Sequence, residues 1–223
     1  MLRRIIEAVD PKPGDFIVEV GPGQGALTRP LLERAGSLHV IELDRDLAGG
    51  LQVENVVVHQ ADALKFDFGV FPHGMRLVGN LPYNISTPLL FYLARYAPRV
   101  RDMHFMLQLE VVERMVAAPS TPQYGRLSVA LQARFRMKKL FTVSRGAFRP
   151  PPKVESAVVR LMPLERPLVV DDDLLRRAFS ARRKTLRNAL PQADFAAAGI
   201  DPRLRPENLS PEDYARLSMN SIL

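Results

Sequence analysis

Apolar positions follow two rhythms along this chain. Short, nearly unbroken apolar runs recur from Phe16 to Val20, Leu38 to Ile41, Asn55 to His59, Met75 to Gly79 and Met103 to Leu107. Runs of that length without alternation suit strands buried on both faces. Between them the spacing becomes helical. It predicts helices from Leu2 to Val9, Ala26 to Ala35, Asp46 to Leu51, from Ser86 or Thr87 through Tyr92, and from Glu110 to Ala117. This alternation predicts βαβ units and a parallel sheet. Tyr124 to Ala133 again has helical spacing, and Ser156 to Met162, after Pro150-Pro151-Pro152, reads as a late strand of the same sheet. Pro163 to Pro167 reads as a linker. Beyond it the chain is strand-poor, with helix starts at Asp171-Asp172-Asp173 and Ser210-Pro211-Glu212. The expected architecture is an α/β domain over residues 1–163 and a small helical domain over 164–223.

Chemistry gathers where the strands end. Asn80-Leu81-Pro82-Tyr83 follows the strand that begins at Met75. It offers a side-chain amide, a backbone carbonyl stiffened by the next proline, and an aromatic face. That set suits a flat ring with an exocyclic amine: Asn80 and the Leu81 carbonyl accept its N–H groups, and Tyr83 stacks on the ring. Taken alone, Asn-Xaa-Pro is a common turn. A second element raises its weight: Gly21-Pro22-Gly23-Gln24-Gly25, between the first strand and the following helix. Ala26 stands where a dinucleotide fingerprint needs glycine, and Pro22 removes a backbone donor that a pyrophosphate could use. A ligand without phosphates fits better. Glu42 ends the second strand, where a carboxylate can take both ribose hydroxyls, and Asp62 follows the third, where it can accept from an adenine amine. Together they describe an adenosine pocket with no phosphate grip, and so point to S-adenosylmethionine.

Composition narrows the alternatives. The chain has 223 residues, 47% apolar and none of them cysteine. That excludes disulfides, Cys-ligated zinc, iron–sulfur clusters and methyl transfer through a cysteine adduct. His39, His59, His73 and His104 show no metal-ligand spacing, so no metal is expected. No apolar run approaches the ~20 residues that span a bilayer, and no signal-peptide pattern opens the chain. A cytoplasmic protein without membrane attachment is expected. The net charge of +7 points to a polyanionic partner. From Leu174 to Leu190, read as one helix, six basic residues occur without an acid, Arg182, Arg183 and Lys184 among them. These three are candidate RNA contacts. A second basic cluster, Arg134 to Arg149, is interleaved with Phe135, Phe141 and Phe148.

Four stretches carry a family resemblance: Val18 to Thr28, Ile41 to Asp46, Asn80 to Pro88 and Phe148 to Val158, with Tyr124-Gly125-Arg126-Leu127-Ser128 as a further match. On these the chain closely resembles KsgA-type adenine dimethyltransferases of small-subunit ribosomal RNA, along nearly its whole length. The resemblance implies a Rossmann-like methyltransferase domain followed by a small helical domain. It also implies methylation of two adjacent adenosines at N6, twice each, near the 3′ end of 16S rRNA, with a role in subunit biogenesis. Carried over by position, Gly21 lines the cofactor loop, Glu42 holds the ribose, Asp62 holds the adenine, and Asn80 also lies beside the cofactor. Asn80 and Leu81 accept from the target amine, and Tyr83 and Phe148 pack the flipped-out base. The chain departs from the family pattern in four places. No Asn-Phe-Leu segment precedes Met1, the stretches Leu51 to Asn55 and Phe68 to Met75 are short, and Leu109 replaces a usual lysine. A monomer is expected. The competing readings are an N6-adenine DNA methyltransferase, a methyltransferase of protein glutamine, and a non-catalytic assembly factor that docks on the subunit.

Overall fold

The computed structural model describes residues 1–147 and 152–220. Among these, seven strands form one sheet: β1 (Ile17–Val20), β2 (Leu38–Glu42), β3 (Val56–Gln60), β4 (Met75–Asn80), β5 (Val100–Gln108), β6 (Phe135–Val143) and β7 (Ser156–Pro163). Their order across the sheet is β3-β2-β1-β4-β5-β7-β6. The strands β1 to β5 pair in parallel, with the reversal of strand order falling between β1 and β4. Ligands of open α/β sheets bind at such a reversal, beyond the carboxyl ends of the strands.

The sheet departs from the sequence expectation in two ways. It is mixed, because β7 runs antiparallel to β5, from Met103↔Leu161 to Gln108↔Ser156. A parallel return needs a crossover, usually helical. The 144–155 connection from β6 shows only the 3-10 turn Arg145–Ala147 among its described residues. The second difference is β6 itself, where the sequence showed a basic cluster. Arg136, Lys138, Lys139 and Thr142 of this edge strand are exposed, and only Phe135 and Val143 at its ends are buried. Charged edges block strand-to-strand association and also hide the apolar signature of a strand.

Helices α1 (Leu2–Val9), α2 (Thr28–Ala35), α3 (Arg45–Gly50), α4 (Ser86–Ala94) and α5 (Leu109–Val116) alternate with the strands. Ile5, Ile6 and Val9 of α1 and Leu31 and Ala35 of α2 bury themselves against Ile17, Leu38, Val40, Val78, Met106 and Val158 of the sheet. The side chain of Asp44 caps α3 by accepting from the backbone N–H groups of Asp46 and Leu47. Beneath α1, the buried Arg76 guanidinium pairs with Asp102 at 2.9 Å and Asp15 at 2.7 Å, and donates to the carbonyl oxygens of Val9 and Asp10.

The chain divides into two compact units. The first holds Met1–Val112 and Met137–Pro163, and the second holds Glu113–Arg136 and the residues from Leu164 on. A single cut at 163 therefore misses that Glu113–Arg136 pack with the later helices. Within the second unit, Tyr124 donates its hydroxyl to the Leu209 carbonyl at 2.8 Å, and the backbone N–H of Leu168 donates to Ala133 at 2.8 Å. Its helices are α6 (Arg126–Gln132), α7 (Asp172–Ser180), α8 (Leu186–Ala189), α9 (Phe195–Ala198) and α10 (Pro211–Asn220). The single helix expected from Leu174 to Leu190 is two. The side chain of Arg182 breaks away to donate to the carbonyl oxygens of Thr121 and Pro122 at 3.3 and 3.0 Å, with Glu207 3.6 Å away.

Candidate active site

The carboxyl ends of β1, β2 and β4 converge. After Val20 the chain turns through Gly21, whose φ of +66° is a left-handed conformation that glycine adopts without strain. The Gly21 N–H donates to the Ile41 carbonyl at 2.9 Å, and Gly25 N–H closes the turn on Pro22 at 3.0 Å. Glu42, buried at the end of β2, accepts from the N–H groups of Gly23 at 3.1 Å and Asp44 at 3.0 Å. Its carboxylate thus ties the glycine loop to the neighbouring strand.

The second motif meets the first across β1 and β4. A Cβ on Gly79 would lie 2.5 Å from the Val20 carbonyl oxygen, so no larger residue fits between the strand ends. A Cβ on Gly21 would lie 3.6 Å from Pro82 Cδ. Asn80 is the last residue of β4 and stands opposite Met106. The loop after it is fixed at four points. Leu81 N–H donates to Met106 at 3.2 Å, and Ile85 N–H donates to Pro82 at 3.2 Å. The Ser86 hydroxyl donates to the Tyr83 carbonyl at 3.1 Å, and the Tyr83 hydroxyl lies 2.7 Å from Ser156 Oγ. The Leu81 side chain is buried, which anchors the backbone that carries its carbonyl.

Together these elements enclose a cavity of about 680 Å³. Gly21, Asn80, Leu81 and Tyr83 of the expected site line it, with Met106 and Pro152 across from them. Glu42 adjoins it through Gly23. Asp62 is not among its lining residues. It stands at the same end of the sheet, where Ala61 N–H donates to Glu42 O at 3.0 Å and Asp62 Oδ1 accepts from Leu64 N–H at 2.9 Å. Phe148 lies outside the described residues. Arg182, Arg183 and Lys184 belong to the second unit. A separate recess of about 510 Å³ between α1 and α2 holds none of the expected site residues.

One cavity-lining residue escaped the sequence reading. Glu19 lines the cavity at 1% exposure and accepts a hydrogen bond from the Thr28 hydroxyl. Burial first, and the neighbouring charge of Glu42 in addition, push its carboxyl up to about 7. The available signal was a lone acid inside an apolar run, Ile17-Val18-Glu19-Val20. Leu43, directly after Glu42, is 68% exposed and is not among the lining residues.

The residues present fit an adenosyl group. A cavity of this size falls within the ~300–1,000 Å³ of small-molecule sites. Its surroundings provide strand-end carboxylates and a glycine loop lacking one donor at Pro22, with no basic side chain on the loop to hold phosphate. The sequence model of the family described as ribosomal RNA adenine dimethylase matches residues 1–221. The chain belongs to that family. It is an adenine dimethyltransferase of ribosomal RNA with S-adenosylmethionine as its cofactor. Two relatives, from Aromatoleum aromaticum and Thiobacillus denitrificans, are each named ribosomal RNA small subunit methyltransferase A and are each 56% identical over 98% of this chain. The matches cover 88% and 91% of those proteins. Among solved structures, a dimethyladenosine transferase from Plasmodium falciparum superposes with a TM-score of 0.81 at 29% identity, over 97% of this chain and 93% of that one. The 23S rRNA methyltransferase ErmE does so with a TM-score of 0.72 at 26% identity, over 99% and 96%. These neighbours share the Rossmann-like methyltransferase fold. Among the described residues, no helix is long and apolar enough to cross a membrane.

Proposed function

We propose that this protein dimethylates N6 of two adjacent adenosines near the 3′ end of 16S rRNA, within the small ribosomal subunit and as part of its biogenesis. It acts as a cytoplasmic monomer. The observation that carries this reading is the meeting of the glycine loop and the Asn80–Tyr83 loop around one cavity, where a Cβ on Gly21 would touch Pro82. The relatives named for the small subunit support the choice of RNA.

Gly21 and Gly23 bring backbone close to the cofactor, Glu42 takes its ribose hydroxyls, and Asp62 holds its adenine by an acceptor. Bound there, S-adenosylmethionine supplies a methyl group on a sulfonium, already activated for displacement. The difficulty lies with the adenine amine, whose lone pair is delocalised into the ring. Asn80 Oδ1 and the Leu81 carbonyl accept its two hydrogens, which favours a pyramidal nitrogen and aims the lone pair. Tyr83 and Phe148 pack the base once it leaves its stack, offsetting an unstacking cost of a few kcal/mol. The contribution is orientation and electrostatic stabilisation, with no strong base required, because the product ammonium is acidic enough to lose its proton to water. Arg183 and Lys184, both exposed, contact RNA phosphates.

The test is methyl transfer from labelled S-adenosylmethionine to small subunits purified from cells that lack the modification, followed by nucleoside identification. N6-dimethyladenosine near the 3′ end is the expected product. Transfer to 23S rRNA instead, or subunit binding without transfer, would refute the reading.

A further inference from the structure

Ser156 opens β7 and stands opposite Gln108 in the antiparallel ladder with β5. It is held from the preceding residue as well, since Leu109 N–H donates to the Glu155 carbonyl at 2.9 Å. Its side chain is 1% exposed and begins the run Ser156-Ala157-Val158-Val159, whose other members are apolar. A hydroxyl in such a place needs a partner, because burying it unpaired is costly. The partner is the Tyr83 hydroxyl, 2.7 Å away, while the rest of Tyr83 lines the cavity.

This contact explains a choice that stacking leaves open. A phenylalanine would pack on a purine as a tyrosine does, so the ring alone does not call for a hydroxyl at position 83. The hydroxyl reaches across from the β4–α4 loop to the strand that follows Pro152, which is another lining residue of the same cavity. One hydrogen bond therefore spans two walls and restricts the ring, whose base lies two residues from Leu81. Tilting the ring would turn any base packed on it relative to Asn80 and the Leu81 carbonyl.

We propose that Ser156 is a positioning residue for methyl transfer. It holds the Tyr83 ring at the angle that presents the target adenine, and the second methylation depends on it more than the first. The inference rests on the reading that Tyr83 packs the target base. The unequal dependence follows from the chemistry of the amine. Before the first transfer the nitrogen carries two hydrogens for the two acceptors. Afterwards it carries one, so ring packing supplies more of the orientation.

The experiment compares Ser156→Ala, Tyr83→Phe, the double variant, Ser156→Thr and Tyr83→Ala, using small subunits that lack the modification. Each single hydroxyl deletion should lower kcat by roughly 3- to 12-fold, as expected for one hydrogen bond. The cofactor Kd and the KM for subunits should stay within about twofold, and the double variant should lose no more than either single one. The ratio of N6-monomethyl- to N6-dimethyladenosine should rise in all three, and Ser156→Thr, which keeps the hydroxyl, should restore most of the turnover. A second readout is independent of turnover: 2-aminopurine at the target position of an RNA fragment should show altered fluorescence when bound to the hydroxyl-deleted variants. If the Ser156→Ala protein is too unstable to assay, Tyr83→Phe removes the same bond from the other side. Additive losses, or an unchanged product ratio, would overturn the role of Ser156. If Tyr83→Ala retains full turnover, or the unmodified protein forms no N6-methylated adenosine, the pocket reading falls first and takes this inference with it.

Discussion

Thr28, itself buried, donates its hydroxyl hydrogen at 2.6 Å to a carboxyl oxygen of Glu19, which lines the cavity. Even with that donor, burial and the charge of Glu42 push Glu19 from 4.5 up to about 7. Between those two values the folded chain keeps a proton that the unfolded chain has released, so stability falls as pH rises through the window. Glu19→Gln removes that loss. It should stabilise the protein by about 1–3 kcal/mol at pH 8, with the gain shrinking towards pH 5. Urea denaturation at the two pH values measures it, and an equal gain at both would contradict the assignment.

Asn80 stands at the end of β4, exposed at the cavity, and its amide is not needed to hold the strand ends together. Asn80→Ala should therefore cost turnover about 10²–10³-fold, the scale of losing one aimed transition-state hydrogen bond. Cofactor binding should change only a few-fold. Calorimetric Kd beside single-turnover rates separates the two, and matched losses would place Asn80 mainly in cofactor binding.

Arg76 is a buried cation that neutralises two buried acids and stitches the end of α1 to the sheet. Burial pushes Asp15 and Asp102 up, but their polar neighbours outweigh it: the Lys12 backbone N–H and Arg76 at Asp15, and His104, 3.5 Å away, with the hydrogen-bonded Arg76 at Asp102. Both carboxyls therefore end below their ordinary 3.8. Their contribution to stability is present above that value and is lost as pH falls further. Arg76→Met leaves the buried Asp102 without its cation and Asp15 with only the exposed Arg101, 2.8 Å away, and should destabilise the fold by about 3–5 kcal/mol at pH 7. A change below about 1 kcal/mol in denaturant titration would show that the acids find other partners.

The basic turn after α7 divides its work. Arg182 is half-buried and committed to Thr121, Pro122 and Glu207, whereas Arg183 and Lys184 are exposed. Replacing Arg183 and Lys184 with serine should weaken subunit binding and make its salt slope shallower by roughly 0.7–0.9 per lost phosphate contact. Arg182→Ala should instead lower the melting temperature. An unchanged slope in the double variant would mean that the two side chains are only solvated.

The strands β1, β2, β4 and β5 were legible because they are largely buried and so appear as apolar runs with turn residues at their ends, while the edge strand β3, half-exposed, was legible from its consecutive valines. The Asn80–Tyr83 loop and the glycine loop were legible for a different reason: their chemistry is local, carried by neighbours in sequence. What escaped depended on distant partners. In β6 the charges at Arg136, Lys138 and Lys139 are tolerable only because the strand lies at the sheet edge. Glu19 was masked by the valines around it, and its role depends on Thr28 nine residues away and on Glu42 in the next strand. The break after Ser180 leaves the apolar spacing of Leu174, Ala178, Leu186 and Leu190 undisturbed. The backbone leaves the helix at Ala181, and Arg182 just beyond it reaches carbonyls some sixty residues earlier, partners that local spacing cannot show.

The division of the chain also sets the order in which it can be finished during synthesis. Tyr124 and α6 leave the ribosome before β6 and β7, yet the acceptor for the Tyr124 hydroxyl is Leu209, 85 residues later. The sheet can close before α7 and α10, against which α6 packs, have been made. A nascent chain stalled or truncated before Leu209 and α10 would thus carry the complete seven-stranded sheet while α6 is only partly covered and the Tyr124 hydroxyl has no Leu209 packing to complete it.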